Sequence, residues 1–182
     1  MPDEPQSAPP SDVSDYEKFQ RLDSADYDGV NNLLQDRVYF TAREWAIARL
    51  CADFRTGTGV EMTKIGEHLP ELVPFMTDPY TPQAVYGARR SFEEKVRKAG
   101  ATFLYGAYSG FLTAEEVEEV TYESTEVAKF LLEVEGTSLG HEEESAAERH
   151  ARTAMEAVHE ASLTLRYDRC PHCGELINGG GD

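Results

Sequence analysis

Apolar positions recur at helical spacing through most of the chain, and each periodic stretch carries its own start and stop signals. Asp26 is placed to cap a short helix over 27–36, with Val30, Leu33 and Leu34 inward. Thr41 followed by Glu44 forms a capping box, and Trp45, Ala48, Cys51 and Ala52, with Phe54 beyond, make an apolar stripe to about Arg55. Gly57 and Gly59 then end that helix. A shorter helix is predicted over 63–69, carrying Ile65 and Leu69, before Pro70 and Pro74 break the pattern. Thr81-Pro82 restarts it as an N-cap and N1 proline, and the period runs to Ala99 with Gly100 at the C′ position.

Residues 101–112 are aromatic and dotted with glycine, and read as a buried helix in preference to a hairpin. Thr113 and Glu116 form a second capping box, opening an acidic helix to Glu135 that stops at Gly136. A polar loop through His141 leads to a final helix over 144–167. No run alternates cleanly as a strand, and no internal repeat is present. The expected fold class is all-α: a multi-helix bundle with a tri-helical core, a disordered N-terminal leader and a C-terminal Cys-x-x-Cys knuckle.

The expected organisation is a Pro-rich leader over 1–14, a helical core over 15–136, a C-terminal helix over 137–167 and a knuckle with Gly-rich tail over 168–182. The acidic start has neither the basic nor the apolar region of a signal peptide, and the longest apolar stretch is too short to span a bilayer. A soluble, cytoplasmic protein with reduced thiols is the expectation.

Composition changes the picture in one respect. The formal net charge is −17, and the 17 basic residues divide into five Lys and twelve Arg. Acid excess with few lysines, in a chain that is 40% hydrophobic, resembles the surface of proteins from salt-accumulating halophiles. In molar salt the Debye length is about 3 Å, so this charge does not exclude nucleic acid as a partner.

The helices 42–55, 63–69 and 82–99 form a tri-helical unit whose third member could enter a DNA groove. Steps of 100° put Ala84, Val85, Ala88, Phe92, Val96 and Ala99 on its core face, and Gln83, Tyr86, Arg90 and Arg97 opposite, as a mixture suited to base edges and phosphates. Arg89, Arg90, Lys95, Arg97 and Lys98 crowd the same helix. Glu93 and Glu94 interrupt this surface, and the connection over 70–80 is long for a helix-turn-helix. The competing reading is a solvated face with pairs such as Glu93 with Arg97 and Glu94 with Lys98.

Cys170-Pro171-His172-Cys173-Gly174 presents two thiols at zinc-knuckle spacing. That is half a structural site. Cys51 lies about 120 residues upstream, so His150 and His159 on the preceding helix, or a second chain, are the candidate sources of further ligands. Cys-Pro-His-Cys also resembles the active tetrapeptide of the periplasmic disulfide oxidants, but only nine residues follow Cys173 and no helix can open there. Ala147, Ala151, Ala154, Val158, Ala161 and Leu165 make a heptad seam of small residues. It can pack against helix 114–135 or form a parallel homodimer through residues 147–165, bringing two knuckles to one zinc. That geometry resembles, over the knuckle and its helix only, the zinc hook of coiled-coil DNA-repair ATPases.

Residues 40–50, Phe40-Thr41-Ala42-Arg43-Glu44-Trp45-Ala46-Ile47-Ala48-Arg49-Leu50, together with Lys95-Val96-Arg97-Lys98-Ala99-Gly100-Ala101-Thr102-Phe103-Leu104-Tyr105-Gly106, resemble a haloarchaeal family of uncharacterised proteins over about residues 15–136. The resemblance implies no activity. Residues 40–44 also resemble the opening of two-component-type helix-turn-helix domains. No Walker loop, Gly-x-Gly-x-x-Gly, His-Glu-x-x-His or nucleophile elbow is present, so no enzyme is expected. Two functions remain: a helix-turn-helix-like DNA-binding regulator of a halophilic archaeon with a structural zinc knuckle, or a protein-interaction or assembly factor that binds no nucleic acid.

Overall fold

The structure is a computed structural model that describes residues 11–137 and 141–167 together with Cys173. It is mostly helical: α1 (Ser11–Ser14), a 3-10 turn at Gln20–Leu22, α2 (Tyr27–Gln35), α3 (Ala42–Asp53), α4 (Met62–Glu67), α5 (Leu69–Leu72), α6 (Pro82–Tyr108), α7 (Ala114–Glu135) and α8 (His141–Tyr167). The described residues up to Val96, with Leu131–Thr137, form one compact unit, and the described residues of Arg97–Phe130 and from His141 onward form a second. The first boundary falls inside α6, where the sequence pattern shows no break.

Local signals set the starts of α2, α3, α6 and α7. Asp26 caps α2, its carboxylate accepting from the Gly29 amide at 2.6 Å. Thr41 and Glu44 close the capping box of α3 in both directions, at 3.3 and 3.0 Å. Thr81 accepts from the Ala84 amide at the start of α6. Thr113 and Glu116 make the second box, at 3.2 and 2.7 Å. Gly136 ends α7 with φ of 85°, in the left-handed region that an L side chain enters only at a cost.

Three local expectations are corrected. Gly100 does not stop a helix: α6 runs through it to Tyr108, and the left-handed glycine is Gly110 instead, with φ of 81°. One glycine inside a long run of helix formers costs only about 1 kcal/mol, which the flanking turns overcome. A two-residue hairpin, β1 (Arg55–Thr56) paired antiparallel with β2 (Gly59–Val60), follows α3 where no strand was expected. It is too short to carry an alternating pattern. The core face of α6 is also narrower than predicted. Val85 and Ala88 are buried, whereas Ala84 and Val96 are exposed.

The first unit is built around α3. Ala42, Trp45, Ala46, Ile47, Leu50 and Cys51 are buried, so the helix is covered on more than one face, while Ala52 of the predicted stripe is exposed. Phe19 packs edge-to-face on Trp45 and on Phe75, with ring centroids 5.2 and 6.1 Å apart. To place that ring Phe19 takes φ of 67°, a strained choice for a non-glycine residue, and its amide donates to the Glu135 carbonyl at 2.8 Å. The connection after α5 is part of the core: Leu72, Val73, Phe75 and Met76 are all buried. Its far end is pinned where the Tyr80 amide donates to the Gly66 carbonyl at 2.8 Å. Any Cβ at Gly66 would collide with the Tyr80 carbonyl, so only glycine permits that approach.

The second unit holds the last turns of α6, most of α7 and α8. Its buried apolar side chains among the described residues are Ala107 and Val117. The Gly106 carbonyl accepts from the Leu112 amide at 3.1 Å, closing the turn from α6 into α7. Lys129 on α7 reaches Glu148 on α8 at 2.6 Å. No described helix is long and apolar enough to cross a membrane.

Candidate functional site

The basic face of α6 is the first candidate. Gln83, Tyr86 and Arg90 are exposed on the stretch of α6 in the first unit, and Arg97 is exposed on the stretch in the second. The cations around them are largely engaged by carboxylates. Arg89 pairs with Glu93 and Arg90 with Glu94, each at 3.1 Å along the helix. These are the i,i+4 pairs of a solvated face, shifted by one partner from those expected.

Lys95 is turned the other way. Its ammonium lies 2.9 and 2.7 Å from the two oxygens of Glu44, which Ser91 also approaches at 2.8 Å. Glu44 is 4% exposed, so Lys95 belongs to a buried clasp between α3 and α6. Burial opposes the Glu44 carboxylate. The donors Lys95, the Thr41 amide and Ser91 together outweigh it and hold its pKa below the ordinary 4.5. Arg97 and Lys98 remain exposed, with no ion pair among the described residues.

The knuckle residues Cys170 and His172 lie outside the described residues, and Cys173 is exposed. His150 is exposed and His159 half-buried on α8. Among the described residues no three His, Cys, Asp or Glu side chains gather as a metal site. Cys51 is buried in the first unit, and burial pushes its thiol up to about 11. The heptad seam of α8 is divided, with Ala147 and Ala154 exposed and Ala151, Val158 and Ala161 half-buried.

A second clasp had no signal in the local pattern. Glu135, at the end of α7, is 2% exposed. It accepts from Trp45 Nε1 at 3.0 Å and from Thr137 Oγ1 at 2.6 Å. Arg49 Nε lies 3.0 Å from it as an ion pair without the alignment of a hydrogen bond. Tyr16 and Lys18 both donate to Asp53 at 2.8 Å nearby. Both carboxylates in this group are held by donors, so the cluster ties Tyr16 and Lys18, α3 and the end of α7 together.

Two features of the second unit have the character of binding surfaces. At the turn from α6 into α7, Phe111 is 77% and Tyr105 66% exposed, their rings 6.2 Å apart, with Leu104 and Tyr108 alongside. No charged residue occurs between Lys98 and Glu115, so the segment over 99–114 is uncharged on a strongly acidic chain, with the Glu116 carboxylate of the capping box at its end. Between α7 and α8 lies a groove of about 580 Å³ with Val117, Tyr122, Ala151 and Met155 among its walls. Carboxylates rim it, and His159 stands at one end.

A model for a family of unknown function, DUF5806, matches residues 18–164. The chain belongs to that family. The match takes in both units. No curated protein and no solved structure matches the chain.

Proposed function

We propose that this DUF5806 protein is an interaction or assembly factor that pairs with a second copy through its second unit. The observation that carries the reading is the placement of Tyr105 and Phe111: large apolar side chains stand in solvent in a unit whose buried apolar side chains, among the described residues, are Ala107 and Val117. Exposed aromatic patches of this kind mark association surfaces. The occupant is a second copy because the aromatic segment over 99–114 is uncharged while the chain carries −17, so two copies can meet through it with few carboxylates juxtaposed. The knuckle fits the same reading. One chain supplies two thiolates from Cys170 and Cys173, and two chains supply the four that tetrahedral zinc requires.

The test is native mass measured together with zinc content in molar KCl. A dimer that becomes monomeric on Tyr105→Ser with Phe111→Ser supports the proposal, and zinc at one per two chains places the knuckles together. A wild-type monomer across the micromolar range ends it.

The DNA-binding regulator of a halophilic archaeon is a second reading, favoured by the exposure of Gln83, Tyr86, Arg97 and Lys98. It is weakened by Arg89, Arg90 and Lys95, whose charges are already met by Glu93, Glu94 and Glu44. Retention on DNA in molar KCl that falls on Arg90→Ala with Arg97→Ala, at unchanged thermal stability, would establish it. No retention of the wild type dismisses it.

A further inference from the structure

The groove between α7 and α8 combines an apolar floor with an acidic rim. Val117 and Tyr122 face it from α7, and Ala151 and Met155 from α8. Glu118, Glu126, Glu148 and Glu156 stand around them. Lys129 is held at 2.6 Å by Glu148 and lies 3.8 Å from Glu126, which leaves Arg152 as the other lining cation. Over their whole lengths, lining included, α7 carries eight glutamates and one lysine, and α8 six glutamates and three arginines.

We propose that this groove receives an amphipathic helix from a basic partner protein. Its apolar strip would seat on Val117, Tyr122, Ala151 and Met155, and its flanking Lys or Arg side chains would meet the rim carboxylates. Length selects a helix: the lining from Val117 to Lys129 extends about 18 Å along α7, about three turns, and a third helix laid between two others packs at about 8–10 Å from each. Charge selects the partner. A second copy of α7 or α8 would bring carboxylates against carboxylates, and a nucleic acid would bring phosphates, so neither suits this surface. The floor also fits a variable apolar strip, because Met155 is unbranched and Tyr122 is 66% exposed.

This inference rests on reading the second unit as a docking unit, but it uses a different surface from the uncharged segment over 99–114. The probe is a labelled amphipathic peptide of about five turns, with leucines on one face and lysines flanking them, followed by anisotropy with the full chain at about 0.15 M and at molar KCl. Controls are the same peptide with glutamate in place of lysine, and a scrambled peptide of the lysine composition. The lysine peptide is expected to bind one per groove, about tenfold or more tighter than the glutamate peptide. Tyr122→Ala, at an exposed position that does not threaten folding, should weaken it about tenfold. Glu118→Lys with Glu156→Lys should invert the preference between the two peptides.

Equal binding of the scrambled peptide, no binding of the lysine peptide, or indifference to Tyr122→Ala overturns the proposal. A monomeric protein that still binds the lysine peptide in this pattern separates the two readings, retaining the groove and discarding self-association. A dimeric protein that binds no peptide does the reverse.

Discussion

The two units use the same helical vocabulary and bury it unequally. Every buried apolar side chain among the described residues, apart from Ala107 and Val117, belongs to the first unit, as do both buried carboxylates, Glu44 and Glu135. The first unit therefore has a core and two buried polar clasps. The second has long helices, an acidic surface and aromatic residues in solvent. Helices of 22 and 27 residues can persist on propensity and i,i+4 pairs with little packing, whereas pieces as short as α4 and α5 exist only because a core holds them. The contrast, among the described residues, is between a packed unit and a solvent-exposed one.

Several substitutions would break or sharpen that contrast. The largest effect is expected at Leu50, which is fully buried: Leu50→Ala should cost about 2–5 kcal/mol in denaturant unfolding in molar KCl, whereas Val120→Ala on half-buried α7 should cost about 1 kcal/mol or less. Equal losses would mean that the second unit has a core of comparable density.

Next comes the Glu44 clasp, where Glu44→Gln should cost about 1–3 kcal/mol near neutral pH, because it removes a buried charge-assisted pair with Lys95. The Glu44 pKa is depressed on folding, so its contribution is present above about pH 4.5 and is lost as pH falls through the lower folded value. The difference between wild type and variant should accordingly shrink on acidification below 4.5, and a gap that persists there would contradict the clasp.

A smaller cost, about 1 kcal/mol, is expected for Gly136→Ala, whose backbone sits at φ of 85° with no close neighbour to clash. Thermal unfolding that leaves Tm unchanged would show that the turn relaxes freely. The smallest effect on stability belongs to Tyr105→Ser with Phe111→Ser. Unfolding should move by about 0.5 kcal/mol or less while the native mass falls, separating a surface role from a core one.

Where sequence and structure agree, the information was local. Asp26, the Thr41–Glu44 box, the Thr113–Glu116 box and Gly136 each act within one turn of the residue that signals them. Where they part, the deciding partner was distant. Lys95 reads as one of five cations on a helix until Glu44, 51 residues away, is placed beside it. Trp45 meets Glu135 across 90 residues. The segment after α5 looked like a loop because Pro70 and Pro74 break helical periodicity, yet Val73, Phe75 and Met76 fill the core without any period. The candidate DNA face was legible as a pattern, but the pairing of its charges was not.

The sequence alone determined that the chain is helical, where α2, α3, α6 and α7 begin, and that its surface is acidic, because propensity, capping and net charge are sums over near neighbours. Tertiary structure decided which apolar faces are covered and which carboxylates are answered. Coverage depends on what another segment brings to the same place, and composition and period are silent on that. Phe75 and Phe111 are alike as letters: one is 3% exposed and the other 77%, and only packing tells the core of this protein from its surface.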